Sequence, residues 1–297
     1  LLFLVILFTV HQSIYAQEND KTKFWKKGGS AALSFSQVSL SNWSAGGENA
    51  VSANSYLNLF ANYKKGKSTW DNILELAYGM VKLGEENVRK SDDKIDFASK
   101  YGQLATGKWY YTAMLGFKSQ FTDGFNYPND SVAISRLLAP AYLLYTLGMD
   151  FKPNDNFSLL ISPITGKTTI VNDQALADAG AFGVDPLEID AFGNVTKGKK
   201  IRNEFGAFLK MFFKKPVMEN VNFQTKLELF SSYTKEPQNV DVNWETMIEM
   251  KINKFLTASI NTNLIYDHDI QITDKDGNKG PRTQFKEVFG IGISYKF

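Results

Sequence analysis

The last segment of the chain, Thr283–Phe297, constrains the fold more than any other stretch. Apolar side chains occupy nearly every second position there: Phe285, Phe289, Ile291, Ile293, Tyr295 and Phe297. The residues between them are polar or small, with Val288 as the one apolar exception. Because side chains of a strand point alternately to its two faces, this period of two predicts a strand with one apolar face. Such a strand, finishing on an aromatic residue, is typical of outer-membrane barrels.

The same positions suggest how the chain enters a membrane. Phe289, Ile291, Ile293, Tyr295 and Phe297 resemble the insertion signal that the bacterial barrel-assembly machinery reads. A buried last strand of a soluble sheet has the same alternation, so this segment leaves both interpretations open.

Composition excludes several classes of protein. The chain has 297 residues, no cysteine and a formal net charge of +2. Disulfides and thiolate metal sites are therefore excluded, and the balanced charge gives no reason to expect a nucleic-acid partner. A mean hydropathy of -0.24 is too polar for a helical membrane protein, whereas an aromatic content of 14% suits a barrel with lipid on one face only.

The beginning of the sequence reads as an export signal. Leu1–Val10 is apolar and too short to cross a bilayer as a helix, and a small residue, Ala16, precedes Gln17. We therefore expect a cleaved signal peptide over residues 1–16, a periplasmic leader over 17–27 and a barrel over 28–297. The expected location is the outer membrane of a Gram-negative bacterium.

About twelve strands are predicted from the alternating segments, and no segment gives a convincing helix. Short polar turns, such as Lys64–Lys67, alternate with longer loops, of which 172–199 is the longest. Aromatic residues fall near the short turns, where a girdle is expected: Tyr63, Trp70, Trp109, Phe151, Phe157, Phe213, Phe223, Tyr295 and Phe297. Together with the export signal, this pattern predicts a transmembrane antiparallel up-and-down β-barrel.

The faces opposite the apolar ones carry both signs of charge. The expected lumen-lining residues are Asp71, Glu75, Asp96, Lys100, Arg202, Glu204, Lys210, Lys226, Glu228, Asp241, Glu245, Glu249 and Lys251. They would form either a salt-bridge network that fills the lumen or the wall of a weakly selective pore. Phe208, Phe212 and Phe230 share these faces and favour a partly filled lumen.

Several short runs resemble a family of Bacteroidota outer-membrane barrels known as domain-of-unknown-function family 3078. The runs are Ser41-Asn42-Trp43-Ser44-Ala45-Gly46-Gly47, Ser91-Asp92-Asp93-Lys94, Leu138-Ala139-Pro140, Ser162-Pro163-Ile164-Thr165-Gly166-Lys167 and Val242-Asn243-Trp244-Glu245. The resemblance extends over Trp25–Phe297 and implies an exported barrel, without implying a reaction.

Three short motifs could carry chemistry. Asn42, Trp43, Gly46 and Gly47 could form a stacking platform for a sugar or a plug in the barrel mouth, or a tight turn with Trp43 anchored at the membrane interface. Asp267-His268-Asp269 could activate water in a hydrolase, but solvated loop charge explains it more simply. Asp274-Lys275-Asp276-Gly277-Asn278 suggests a calcium loop, but Lys279 stands at the sixth position, where that loop needs glycine, and no closing glutamate follows, so a plain turn fits it.

The expected function is a passive porin-like channel or small-solute transporter. A non-conducting barrel that binds a protein partner through its outer loops is the alternative, and a hydrolase is the third. A phospholipase would need a serine beside His268, and the sequence places none there. We expect no cofactor and no metal, and the expected partners are the lipid bilayer, the assembly machinery, and a small solute or an unknown protein.

Overall fold

The computed structural model describes residues 24–40, 48–273 and 276–297. In these residues, twelve long strands form one closed antiparallel barrel. In chain order they are β1 (Trp25–Val38), β2 (Ala50–Lys65), β3 (Ser68–Leu83), β4 (Arg89–Thr106), β5 (Trp109–Ser119), β6 (Ala141–Asn154), β7 (Phe157–Ile170), β8 (Ile201–Met218), β9 (Val221–Ser232), β10 (Asp241–Lys251), β11 (Leu256–Tyr266) and β12 (Gln284–Lys296). The predicted all-β up-and-down barrel of about twelve strands is confirmed.

Each strand pairs with its neighbour in sequence, and β12 pairs with β1 to close the ring. One rim of the barrel carries short turns, such as the one between Lys65 and Ser68. The other rim carries the longer loops, including 120–140, 171–200 and 267–283. We call these the short-turn rim and the long-loop rim. Both ends of the barrel chain, Trp25 and Lys296, lie at the short-turn rim, as an even number of antiparallel strands requires.

The outer face of the barrel is a belt of exposed apolar side chains. Leu147 is 55% exposed, Ile293 57% and Ile291 47%, although all three lie within regular strands. Exposed apolar surface that continues around a closed barrel marks the part that faces lipid, since closure also leaves no backbone edge unpaired. The chain is therefore described below as a transmembrane barrel. Among the described residues, no helix is long and apolar enough to cross a membrane.

Aromatic side chains cluster in pairs near the short-turn rim. The ring centroids of Trp25 and Tyr63 are 5.2 Å apart, and those of Trp109 and Phe151 are 5.0 Å apart. Tyr295 stacks on Phe297 at 6.0 Å. Amphipathic rings at this height are typical of the boundary between lipid and water.

The wall is distorted at Ser162-Pro163-Ile164, where the pairing of β7 shifts against both of its neighbours. Proline has no backbone N–H, so a ladder position is lost there. The Oγ atom of Ser162 lies 2.8 Å from the carbonyl oxygen of Leu147 and 2.9 Å from that of Ile164. A Cβ atom on Gly148 would lie 2.2 Å from the carbonyl oxygen of Ile161, so the bulge requires glycine opposite it.

The longest loop, 171–200, is folded and packs at the long-loop rim. It contains a short helix, α1 (Gln174–Asp178), whose first turn is capped because Asp173 Oδ1 accepts a hydrogen bond from Leu176 N at 3.0 Å. Ala177 and Val184 are buried together with Val171 of the same loop and Ala139 of the neighbouring loop 120–140. This helix was not predicted, because its five residues are too few to show a helical period.

Candidate functional site in the barrel lumen

Eight interior-facing side chains from six strands form a salt-bridge network at the middle of the lumen, called the central cluster below. Its members are Glu75, Lys94, Asp96, Lys118, Lys210, Lys226, Glu228 and Glu245. They come from β3, β4, β5, β8, β9 and β10, where the side-chain alternation of each strand turns them inward.

Some of these ion pairs cross the lumen from one wall to the opposite one. β3 and β9 lie six positions apart in the ring of twelve strands, and so do β4 and β10. Lys226 Nζ on β9 lies 3.2 Å from Glu75 Oε2 on β3. Lys94 Nζ on β4 lies 2.8 Å from Glu245 Oε2 on β10. The lumen is therefore bridged at this height.

The central cluster is electrically balanced, with four lysines and four carboxylates. Its carboxylates are well shielded from water: the side chains of Glu75 and Asp96 are each 7% exposed. Buried charges are tolerated only when each is paired. The Nζ atom of Lys226 lies within 3.2 Å of carboxylate oxygens of Glu75, Asp96 and Glu245. Lys94 lies within 3.6 Å of the same three carboxylates, so removal of one lysine would leave the cluster with an excess buried negative charge.

An apolar layer adjoins this cluster. Met114, Leu160, Phe208 and Phe230 form a buried group, with Leu144 packed against it. Phe208 and Phe230 are 5% and 6% exposed, although a lumen-facing ring in an open pore would be in contact with water. The interior-facing side chains of β3 to β10, charged and apolar together, are called the packed sector.

The other four strands, β11, β12, β1 and β2, have a different interior face, called the polar sector. Its central positions hold small or uncharged side chains, including Ser30, Ser34, Asn58, Ser259 and Asn261, which are half-buried rather than fully buried. Among the described residues, the ion pairs of β12 lie only at its two ends, Lys286 with Asp92 at 2.6 Å and Lys296 with Glu249 at 2.6 Å. Shorter side chains therefore line this side of the lumen at these positions.

A second ionic group lies nearer the short-turn rim. Lys100 Nζ is 2.6 Å from Asp150 Oδ2 and donates to Ser158 Oγ at 2.8 Å. Ser158 in turn donates to Asp150 Oδ1 at 2.7 Å, and Lys152 pairs with Asp71. This group also contains two charges of each sign, so it adds no net potential to the lumen.

A third group, the mouth cluster, lies at the long-loop rim. Lys167 Nζ is 2.6 Å from Asp241 Oδ2 and 3.5 Å from Asp267 Oδ2. Arg202 pairs with Glu204 and Asp269, and its Nη1 donates to the carbonyl oxygen of Gly183 at 3.0 Å. The mouth cluster thus ties the long loop 171–200 to the barrel wall.

Asp269, in the loop after β11, is an ionisable residue that stabilises this contact between loop and wall. Burial raises the pKa of its carboxyl, but hydrogen bonds from Arg202 and Lys235 outweigh burial and hold the pKa below its usual value. Asp269 is therefore ionised wherever the barrel is folded at ordinary pH.

The sequence-predicted residues are distributed over these groups. Glu75, Asp96, Lys210, Lys226, Glu228 and Glu245 lie in the central cluster; Asp71 and Lys100 in the second group; Arg202, Glu204 and Asp241 in the mouth cluster. Glu249 pairs with Lys296, and Lys251 is exposed at the end of β10.

The expected lumen-lining residues omitted several charged interior side chains, among them Lys94, Lys118, Asp150, Lys152 and Lys167. Their signal was present, because Lys118 and Asp150 alternate with the outward residues Phe117 and Met149. Lys94 stood at the edge of a predicted loop, where the strand period could not be counted.

The proposed motifs fare differently. His268 Nδ1 lies 3.2 Å from the Tyr266 hydroxyl and Nε2 lies 3.5 Å from Glu236, whereas Asp267 and Asp269 pair with Lys167 and Arg202. An ion pair between His268 and either neighbouring aspartate, which would help to activate water, is thus not formed. Among the described residues, no group of three His, Asp or Glu side chains is arranged to hold a metal ion. The signal segment 1–16, the leader up to residue 23, the loop residues Asn42, Trp43, Gly46 and Gly47, and Asp274 lie outside the described residues.

Part of the chain matches a known family. Residues 35–125 match the family model described as "Protein of unknown function (DUF3078)". The match confirms the resemblance to this family within residues 35–125, and its extension to Phe297 stays a prediction. The matched part covers the end of β1, the strands β2 to β5 and the start of the following loop. No curated protein matches the chain.

Solved structures with a similar fold are distant in sequence. An outer-membrane channel from Pseudomonas putida F1 is 10% identical and covers 94% of this chain and 100% of its own, with a TM-score of 0.41. The NanC porin is 9% identical over 91% of this chain and 100% of its own, with a TM-score of 0.37. The translocator domain of the autotransporter NalP from Neisseria meningitidis is 8% identical over 100% and 95%, with a TM-score of 0.34. Likenesses this distant carry no argument about what the chain does.

Proposed function

We propose that this protein is a narrow passive channel of a bacterial outer membrane. In the proposed orientation, the short-turn rim faces the periplasm and the long-loop rim faces outward. The chain would reach this membrane through an amino-terminal signal peptide and would be inserted by the barrel-assembly machinery, which reads the aromatic positions of β12.

One observation supports the channel most directly. Most inward side chains of β11, β12 and β1 are small or uncharged, whereas β2 also carries inward Tyr56 and Phe60. Every trans-lumenal ion pair of the central cluster lies on the other strands. A solute would therefore pass beside the central cluster, along the polar sector. Twelve strands give a barrel between the side-chain-filled eight-strand barrels and the open porins, which agrees with a passage that is only partly filled.

Charge balance predicts the kind of solute. The central cluster contributes four positive and four negative groups, so their fields cancel along the passage. Serine and asparagine offer hydrogen bonds of both kinds to a passing molecule. Small uncharged polar solutes are the proposed cargo. Among ions, the passage should show little preference between cations and anions.

Single-channel recording in a planar bilayer tests this proposal. The purified protein, folded as judged by its heat-modifiable migration on gels, should give a small and steady conductance with nearly equal permeability to K⁺ and Cl⁻. Absence of conductance from protein that shows the heat-modifiable band would refute the channel.

A specific observation favours the second function, a barrel that binds a partner. The tip of loop 171–200 is a two-stranded hairpin, Glu188–Ile189 with Val195–Thr196, and Phe192 at its turn is 91% exposed. Ile189 and Val195 are also exposed, at 66% and 60%. An apolar group of this kind on a loop fits an apolar protein partner. A photocrosslinking residue at Phe192 should capture one protein repeatedly in whole cells; capture of lipid alone would exclude this function.

A further inference from the structure

Lysines accumulate at the short-turn rim of the barrel. Outside the second ionic group, the described strand ends and turns of this rim carry three acidic side chains, Asp155, Glu219 and Glu249. Eleven lysines lie there, and they are Lys26, Lys27, Lys64, Lys65, Lys67, Lys108, Lys214, Lys215, Lys251, Lys254 and Lys296. The formal net charge of +2 for the whole chain therefore conceals one strongly basic rim.

The alternation of side chains assigns five of these lysines to the lumen side of the rim. Residues that are partners across a ladder share a face, and Lys26 lies in one ladder row with Asn62 and Asp71. Asp71 belongs to the second ionic group inside the lumen, so Lys26 also faces inward. The same reasoning adds four further residues, namely Lys64, Lys214, Lys251 and Lys296. We call these five residues the lysine ring.

The lysine ring lies at the short-turn end of the polar sector. Lys26, Lys64 and Lys296 belong to three of its four strands, and Lys251 belongs to the adjacent strand β10. Lys214 on β8 stands on the wall opposite Lys64 on β2, since these two strands lie six positions apart in the ring of twelve. A solute that moves along the polar sector must therefore pass the lysine ring.

The charges of the lysine ring are largely uncompensated, in contrast to those of the central cluster. All five lysines are exposed. Within the described part of the chain, Lys296 is the one member with an ion pair, to Glu249 at 2.6 Å. Like charges gathered at a mouth raise the local concentration of ions of the opposite sign. Rings of lysine or arginine are also the arrangement by which pores for anions and phosphate bind their ions.

Three lysines on the outward face of the same rim have a different environment. Each directly follows a member of the lysine ring in the chain, and they are Lys27, Lys65 and Lys215. Lys27 Nζ lies 5.9 Å from the ring centroid of Trp25, and Lys65 Nζ lies 4.7 Å from that of Phe24. Lysines beside aromatic rings at this height are typical anchors at the membrane boundary. The inward lysines have no such role, because they face away from the lipid.

We propose that the lysine ring is a binding site for small soluble oxyanions that carry two or more negative charges, such as phosphates. Each lysine offers a positive charge and three N–H donors to such an ion. A bound anion stands in the passage and obstructs it from the short-turn side, while the neutral central cluster still sets the preference between monovalent ions. Obstruction rests on the proposed function, whereas binding does not require an open lumen.

The test compares two triple variants by equilibrium dialysis of inorganic tripolyphosphate against the folded protein in a neutral detergent at low salt. The inward variant combines Lys26→Gln, Lys64→Gln and Lys214→Gln. The outward variant, the matched control, combines Lys27→Gln, Lys65→Gln and Lys215→Gln. Both variants lose three positive charges from neighbouring positions of the same three strands, so they differ in the face that is neutralised. The heat-modifiable gel band verifies that both are folded.

The wild-type protein should bind tripolyphosphate, and the inward variant should bind it about tenfold more weakly or worse. The outward variant should lose at most about threefold, because its lysines are farther from the bound anion and screened by solvent. Equal losses in the two variants would show a general attraction to the basic rim. A larger loss in the outward variant would assign the binding to the lipid-headgroup side. Either result, or no binding by the wild-type protein, would overturn the lysine ring as an anion site.

Single-channel recording separates this inference from the proposed function. Tripolyphosphate added to one chamber should block the wild-type current, and the same addition to the other chamber should not. The inward variant should lose this block and the outward variant should keep it. Conductance without tripolyphosphate binding would leave the channel intact and remove the anion site. Binding without conductance would remove the passive channel and keep the anion site.

Discussion

The packed sector and the polar sector obey the same alternation of side chains, yet they produce opposite interiors. In the packed sector, long charged side chains and rings reach across the barrel, as the 2.8 Å contact between Lys94 and Glu245 shows. In the polar sector, Ser259 and Ser30 stop close to the wall. The strand pattern determines which face points inward, but the volume and charge of the inward residues determine whether that side of the lumen is filled.

The difference also assigns the stability of the barrel and the passage of solutes to different parts of its interior. Charges in the packed sector depend on one another, because an unpaired buried charge is strongly destabilising. Small polar side chains in the polar sector make few demands on their neighbours, so they can be replaced with limited effect on folding. The following predictions test this division, from the largest expected effect to the smallest.

Loss of the central lysine should have the largest effect. Lys226→Met leaves Glu75, Asp96 and Glu245 with Lys94 as their one remaining shared lysine and an excess buried negative charge, and we expect stability to fall by about 3–5 kcal/mol. The measurement is the urea midpoint of unfolding in detergent micelles, followed by the heat-modifiable gel band. Lys296→Met is the control in the polar sector. The side chain of Lys296, which pairs with Glu249, is 57% exposed, so a loss of stability of about 1 kcal/mol or less is expected. Equal losses in the two variants would contradict the division.

A bulky residue in the polar sector should reduce conductance severalfold while the barrel stays folded. Ser259→Trp places an indole in the proposed passage, because Ser259 faces inward on β11. Ser55→Trp is the matched control, since Ser55 is exposed on the outward face of β2. Single-channel recording of both variants decides the matter: an unchanged Ser259→Trp current would place the passage elsewhere.

The smallest effect is expected at the mouth, where Asp269→Asn should loosen loop 171–200. The pKa of Asp269 is lowered in the fold, so its contribution is present above the unfolded value of about 3.9 and is lost as pH falls through the lowered pKa. At neutral pH the variant loop should be cut faster by protease than the wild-type loop, and the two rates should converge in acid.

Asp185→Asn is the control for the mouth. Asp185 pairs with Lys199 within the same loop, but the side chains are 67% and 69% exposed. Exposed pairs contribute little, so the cleavage rate should hardly change. If Asp185→Asn loosened the loop as much as Asp269→Asn, the tie through Arg202 would not be what holds it.

Much of the fold could be predicted from the sequence, because barrel strands show their period in every few residues. Phe289, Ile291 and Ile293 face outward as their spacing predicts, and all three are exposed in the barrel. The positions of glycine and proline predicted the irregularities within the strands less clearly. The run Ser162-Pro163-Ile164 reads as a strand with one proline, and only the structure gives the register shift and the role of Gly148 opposite it.

The site was harder to predict because it depends on which strands face each other across the ring. Alternation turns Glu75 and Lys226 inward, but these residues are separated by 151 positions in the chain. Their contact follows from strand number and stagger together, which a single sequence does not reveal.

The most direct test of the central claim is a thiol-accessibility measurement on single channels. Ser259→Cys introduces a thiol in the polar sector, and Thr146→Cys introduces one in the packed sector, where Thr146 is 2% exposed. A positively charged methanethiosulfonate reagent should reduce the current through Ser259→Cys stepwise and leave the Thr146→Cys current unchanged. Block at Thr146→Cys with no effect at Ser259→Cys would contradict passage along the polar sector.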